Sequence, residues 1–235
     1  MVYITGDTHG NFNRIKNFCA KNNTTKDDVL IILGDAGINY NLDSSDTYLK
    51  YQLSKLPITL FCIHGNHEER PENINTYQTD TFFDGEVYIE ARYPDLIFAK
   101  DGQVYNINNH KCLALGGAYS VDKNYRMACG AKWFESEQIP DDKKREIENY
   151  LEQHDWNVDY VLSHTCPYSV RPTHLFLAGV DQSIVDSSME VWLQKIADRL
   201  EFKHWYFGHY HADEDNDNYS MLYTDIVEFP YEEVK

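Results

Sequence analysis

Seven residues with metal-binding side chains punctuate this chain at five places: Asp7 with His9, Asp35, Asn66, His164, and His209 with His211. Imidazoles mixed with carboxylates suit Mn, Fe, Zn, Co or Ni. They do not suit Ca or a lone Mg, which take oxygen throughout. Seven donors are too many for one tetrahedral ion. They suffice for two ions ~3.5–4 Å apart if one carboxylate serves both, the arrangement used for in-line displacement at phosphorus.

Each of these residues follows a run that reads as a buried strand. Val2–Thr5 ends in Gly6-Asp7, and residues 29–33 end in Gly34-Asp35. Residues 58–63 end in His64-Gly65-Asn66-His67-Glu68. Tyr160–Ser163 ends in His164, and His204–Phe207 ends in Gly208-His209-Tyr210-His211. Continuous apolar runs of this length mark strands buried on both faces. The carboxyl ends of such strands are where α/β sheets bind ligands. The glycines before Asp7, Asp35, Asn66 and His209 allow sharp turns and close backbone approach.

Between the strands, apolar residues at helical spacing predict helices over residues 11–21, 47–55, Asp141–Gln153 and 188–200. Short runs at 96–98, Val104–Ile107 and 111–115 are separated by Asp101-Gly102 and Asn108-Asn109. Those dipeptides predict antiparallel hairpins. Residues 219–223 and 226–229 read as a closing strand pair. The total is about ten strands and four or five helices, an α/β chain with two packed sheets and helices outside.

Composition bounds the function. The chain has 235 residues, 42% of them hydrophobic and 25% charged, which are globular proportions. No apolar run approaches the ~18 residues of a membrane span, and the amino terminus has neither the basic region nor the cleavage site of a secretory signal. Five cysteines without a CxxC pair fit reduced thiols, so a cytoplasmic location is expected. A net charge of −17 repels nucleic acid and anionic membrane at long range, so neither is an expected partner. Screening over ~8 Å still leaves a cationic metal site free to attract a small anion.

The order Asp7-x-His9, Gly34-Asp35, Gly65-Asn66-His67-Glu68, His164, Gly208-His209-x-His211 resembles the calcineurin-like metallophosphoesterase family. The motifs run from residue 7 to residue 211 in family order. The resemblance implies a four-layer αββα sandwich of two mixed sheets flanked by helices, with residues 1–235 as a single domain. It implies two divalent or trivalent transition-metal ions, with Mn, Fe or Zn expected. Asp7, His9 and His211 are expected to hold one ion, Asn66, His164 and His209 the other, and Asp35 both. A hydroxide shared by the two ions is then the nucleophile, and His67 is the general acid that protonates the leaving oxygen. The expected substrate is a small phosphomonoester or phosphodiester, a nucleotide among the candidates.

The chain departs from the family's serine/threonine protein phosphatases. They carry an Asp and an Arg soon after Gly-Asp, where this chain has Ala36-Gly37-Ile38-Asn39-Tyr40. Protein phosphatase activity and a non-catalytic scaffold of the same fold stand as alternatives. The phosphate-binding cation must come from elsewhere. Arg126 is favoured, with Lys123 beside it, in the loop after Gly116-Gly117; Arg70 and Arg171 are further candidates. The competing reading of that loop is a surface hairpin. His110, His154, His174 and His204 read as surface or packing residues. Cys166-Pro167 reads as a turn, and residues 213–217 as a solvated acidic loop.

Overall fold

The computed structural model describes residues 1–230. In chain order the elements are β1 (Val2–Thr5), α1 (Asn13–Asn22), β2 (Val29–Ile32), α2 (Ser44–Leu53), β3 (Thr59–Cys62), β4 (Gln78–Phe82), β5 (Gly85–Glu90), β6 (Tyr93–Ala99), β7 (Val104–Ile107), β8 (His110–Leu115), α3 (Lys123–Cys129), α4 (Asp141–Gln153), β9 (Tyr160–Ser163), α5 (Ser188–Ala197), β10 (His204–Phe207), β11 (Glu214–Asn216), β12 (Tyr219–Met221) and β13 (Val227–Glu228). They build two mixed sheets, ordered β13-β1-β2-β3-β6-β5-β4 and β11-β12-β10-β9-β8-β7.

Successive side chains on a strand point to opposite faces, so a strand covered on both sides must be apolar at every position. In β2, Val29 and Ile31 enter the core between the two sheets. Leu30 and Ile32 face the other way, onto Ile15 and Cys19 of α1 and Leu53 of α2. In β9, Leu162 joins the central core and Val161 packs with Ile147 and Leu151 of α4 and Trp192 and Ile196 of α5. The result is the expected order of layers, helices–sheet–sheet–helices.

Register places the functional loops side by side. Thr5 pairs with Ile32, and Ile32 with Cys62, all in parallel strands. In the second sheet Leu115 pairs with Ser163, and Ser163 with Phe207. The residues that follow these strand ends therefore emerge at one edge of the sandwich.

The helix bounds shift for local reasons. The helix expected from residue 47 starts at Ser44, because the Asp43 carboxylate caps it by accepting from the Ser45 amide at 2.7 Å. The first helix stops at Asn23, which takes a left-handed conformation and returns its N–H to the Cys19 carbonyl.

Three readings of connectivity are corrected. Asp101-Gly102 is not a hairpin: β6 lies in the first sheet and β7 in the second, and the turn carries the chain between them. Residues 219–223 and 226–229 do not pair with each other. β12 joins β10 in parallel, and β13 lies antiparallel to β1 in the other sheet. The acidic stretch at 213–217 contains β11, which pairs with β12. Thirteen strands are present among the described residues, not ten. The β4–β5 hairpin escaped notice because β4 is exposed along almost its whole length and shows no alternation. Among the described residues, no helix is long and apolar enough to cross a membrane.

Candidate metal centre

The turns after β1, β2 and β10 are tight, and four of the residues they present have left-handed backbones: His9 (φ 46°), Asp35 (φ 47°), His209 (φ 71°) and His211 (φ 55°). Such conformations are uncommon outside glycine and persist where surrounding structure enforces them, often at functional sites. Two glycines make room. A Cβ on Gly34 (φ +96°) would lie 2.1 Å from His164 Nδ1, and one on Gly65 would lie 2.1 Å from the Asp35 nitrogen.

Both carboxylates are held by one oxygen only. The His209 amide donates to Asp7 Oδ1 at 2.9 Å, and the His67 amide to Asp35 Oδ1 at 2.8 Å. The second oxygens, Asp7 Oδ2 and Asp35 Oδ2, are buried without a hydrogen-bond partner. A buried carboxylate oxygen without a partner carries a large desolvation cost. Asp7 Oδ2 faces His211 Nε2 at 3.3 Å and His9 Nε2 at 3.6 Å. Asp35 Oδ2 faces His9 and His164 Nε2, each at 3.7 Å, and His67 Nε2 at 3.9 Å. Burial opposes ionisation of Asp7, yet the His211 and His9 imidazoles hold its carboxyl well below the usual range.

The imidazoles face other acceptors. His164 Nδ1 donates to the Leu33 carbonyl at 2.7 Å, which leaves the lone pair of Nε2 directed at Asn66 Oδ1, 2.8 Å away. His9 Nε2 lies 2.9 Å from His211 Nε2. Lone pairs converging with orphaned carboxylate oxygens fit bound cations. Among the described residues, Asp7, His9 and His211 form one group able to hold an ion, and Asp7, Asp35 and His164 another. The His209 ring stands beside that of His164, centroids 5.0 Å apart.

The calcineurin-like phosphoesterase family model matches residues 1–213. The chain belongs to that family. Among solved structures, the crystal structure of phosphopantetheinyl hydrolase from Mycobacterium tuberculosis is similar, with a TM-score of 0.48 and 14% identity over 94% of this chain and 87% of that one. No curated protein shows a significant match. Membership supports phosphoester hydrolysis dependent on metal ions, and the converging donors agree with it.

Around this family centre the structure separates the candidate cations. Residues 123–129 form α3, not a hairpin, and Arg126 on it brings Nη2 to 3.4 Å from His67 Nε2. Its Nε donates to Asp122 at 2.7 Å, and Nη1 lies 3.3 Å from the Tyr40 hydroxyl. Lys123 instead places its ammonium 3.9 Å from the Trp133 ring centroid. Arg70 forms a buried ion pair with Asp101 and donates to the Ser136 carbonyl. Burial lowers the His67 pKa; Asp35 opposes the shift and Arg126 adds to it.

Several supporting residues were not singled out by sequence. Ser120 accepts from the Asn66 amide at 2.8 Å and lies within the loop that Gly116-Gly117 opens. Glu68, fully buried, accepts from the Gly65 and Gly37 amides at 3.1 and 3.2 Å and so joins two site turns. Burial and the nearby Asp35 push its pKa up to about 8. Tyr223 stacks on His211, centroids 4.8 Å apart. Arg14 donates to the Asp7 and Tyr223 carbonyls at 2.8 and 2.7 Å. Outside the centre, His110 faces Asp159, His154 approaches the Tyr150 carbonyl and His174 pairs with Glu214.

Proposed function

We propose that this protein is a dinuclear metal-dependent phosphoesterase acting on a small phosphomonoester or phosphodiester. The observation that carries the reading is the pair of orphaned oxygens, Asp7 Oδ2 and Asp35 Oδ2, buried among histidine nitrogens beside a fixed arginine. Asp7, His9 and His211 would hold one ion and Asn66, His164 and His209 the other. Asp35 Oδ2 would serve both, since it faces His9 of the first set and His164 of the second. When bound, two such ions supply positive charge for the phosphoryl oxygens and acidify a nearby water.

The chain's own groups do the rest. This chain has no Arg in the segment after Gly34-Asp35, and the planar fork of Arg126 suits two phosphoryl oxygens. Asp122 and Tyr40 fix that fork in place. His67 Nε2, 3.4 Å from Arg126 Nη2, would hand a proton to the departing oxygen. Intact donors at every motif position favour an enzyme over a scaffold, and the altered segment 36–40 favours a small substrate over a phosphoprotein.

The test combines metal analysis with hydrolysis of a nitrophenyl phosphodiester and its monoester by Mn-loaded protein. Two ions per chain and metal-dependent turnover are expected. Metal-free protein, or loaded protein inert on both esters, would refute the reading. A phosphopeptide panel distinguishes the protein phosphatase alternative.

A further inference from the structure

A cavity of about 390 Å³ opens directly from Asp35, Asn66, His67 and His209 and runs beneath the segment that follows β9. Its far end has a different character from the metal centre. Leu175, Phe176, Leu177 and Val180 of that segment line it with Val121 and Tyr210, and the Phe176 and Tyr210 rings stack with centroids 6.2 Å apart. A phosphoryl group at the donor cluster would direct the rest of its ester into this annex.

Three charged groups that line the annex have partners of their own. Arg171 donates to the Ser187 hydroxyl and the Tyr168 carbonyl, each at 3.1 Å, and its guanidinium carbon lies 3.5 Å from the Tyr168 ring centroid. Asp186 accepts from Gln138 and from the Ser188 amide. Glu190, almost fully buried, accepts from Thr165 at 2.9 Å. Arg171 is the one lysine or arginine among the cavity's described lining, where Asp186 and Glu190 also stand; the carboxylate of Asp122 is paired with Arg126. A second phosphate or a carboxylate on the substrate would meet the Asp186 and Glu190 side chains, and the cavity's one arginine already holds the Ser187 hydroxyl and the Tyr168 carbonyl. An apolar group would lose water against aliphatic and aromatic carbon.

We propose that this annex receives the alcohol portion of the substrate, and that the alcohol is apolar and carries no second anionic group. The inference rests on the phosphoesterase reading and narrows it to a substrate class. It disfavours nucleoside polyphosphates and sugar bisphosphates.

The experiment compares ethyl phosphate, 2-(2-naphthyl)ethyl phosphate and 2-carboxyethyl phosphate with Mn-loaded protein. All three release alkanols, so leaving-group acidity stays nearly level. The naphthylethyl ester is expected to exceed ethyl phosphate about 100-fold in kcat/KM, within the range that apolar pockets achieve, and the carboxyethyl ester to fall below ethyl phosphate. Phe176→Ser and Leu177→Ser should each cut the naphthylethyl-to-ethyl ratio about 10-fold. The free alcohol, 2-naphthylethanol, should inhibit ethyl phosphate hydrolysis competitively. A naphthylethyl-to-ethyl ratio near one, or no inhibition by the alcohol, overturns the annex assignment and leaves the phosphoesterase reading standing. A carboxyethyl ester as good as ethyl phosphate overturns the exclusion of a second anion. Inertness toward all three esters and toward both the nitrophenyl phosphodiester and its monoester overturns the phosphoesterase reading and the substrate class together, whereas turnover of a nitrophenyl ester with all three alkyl esters inert overturns the substrate class alone.

Discussion

The side-chain amide of Asn66 donates to the buried hydroxyl of Ser120 at 2.8 Å, and this contact decides which way the amide points. With its nitrogen turned to Ser120, Asn66 presents Oδ1 to His164 Nε2. The Ser120 amide is in turn held by Glu137, which also accepts from the Trp133 indole at 2.8 Å. A hydrogen-bond chain from the far side of the α3 loop thus orients one donor of the centre. Outer contacts of this kind typically govern 10–100-fold in metal affinity.

Ser120→Ala therefore should weaken the ion held by Asn66 and His164 about 10-fold while sparing the one at His9 and His211. Titration with a competing chelator reads the two affinities separately. Equal affinities in variant and wild type would show that Ser120 only fills space.

Asp35→Asn should weaken both ions, because Oδ2 of that one carboxylate faces donors of both sets. His9→Ala should chiefly weaken one. Metal content after dialysis is the measurement, and two tightly held ions in the Asp35 variant would refute the shared role.

His67→Ala should keep its metals and lose about 10²–10⁴ in rate. The loss should be larger for an alkyl ester than for a nitrophenyl ester, whose leaving group needs little protonation. Arg126→Ala should cost about 2–3 kcal/mol in kcat/KM, the size of a charge-assisted contact, and Arg126→Lys should already reduce the rate. Wild-type hydrolysis of both esters by Arg126→Ala would reassign the phosphate cation.

Asp159 carries a pH prediction away from the centre. Its carboxylate accepts from the Lys111 amide at 2.8 Å and pairs with Lys203 at 2.7 Å, pinning the starts of β8, β9 and β10. Burial opposes the charge, but Lys203 and the Lys111 amide bring its pKa below 3.8. A carboxyl lowered in the fold adds stability above its unfolded pKa and loses it as pH falls through the folded value. Asp159→Ala should therefore cost about 1 kcal/mol at neutral pH. The difference should hold steady down to about pH 5 and narrow below the unfolded pKa. Urea denaturation across that range is the check; a difference independent of pH would assign the cost to packing alone.

Much of this molecule is legible in local pattern. The apolar runs at β2, β3 and β9 declare strands covered on both faces, because each residue's burial depends mainly on its own strand position. Asp7, Asp35 and Asn66 follow such strands in one sheet and His164 and His209 in the other; parallel pairing gathers each set at one edge of its sheet, and the packing of the two sheets brings the sets together. Where burial is absent, the pattern falls silent. No residue of α3 is buried, and β4 is nearly all exposed, so neither carries a hydrophobic period to read.

The sequence by itself determined the layered sheets and the strand ends that carry the candidate donors. Tertiary structure alone decided that Arg126 rather than Lys123 reaches His67, that Ser120 turns the Asn66 amide, and that Asp101-Gly102 passes the chain from one sheet to the other. The physical reason is separation along the chain. Strand burial is a property of neighbouring residues, whereas Arg126 and His67 lie 59 residues apart and Ser120 and Asn66 lie 54 apart. Their meeting depends on the paths of two loops, which no local periodicity encodes.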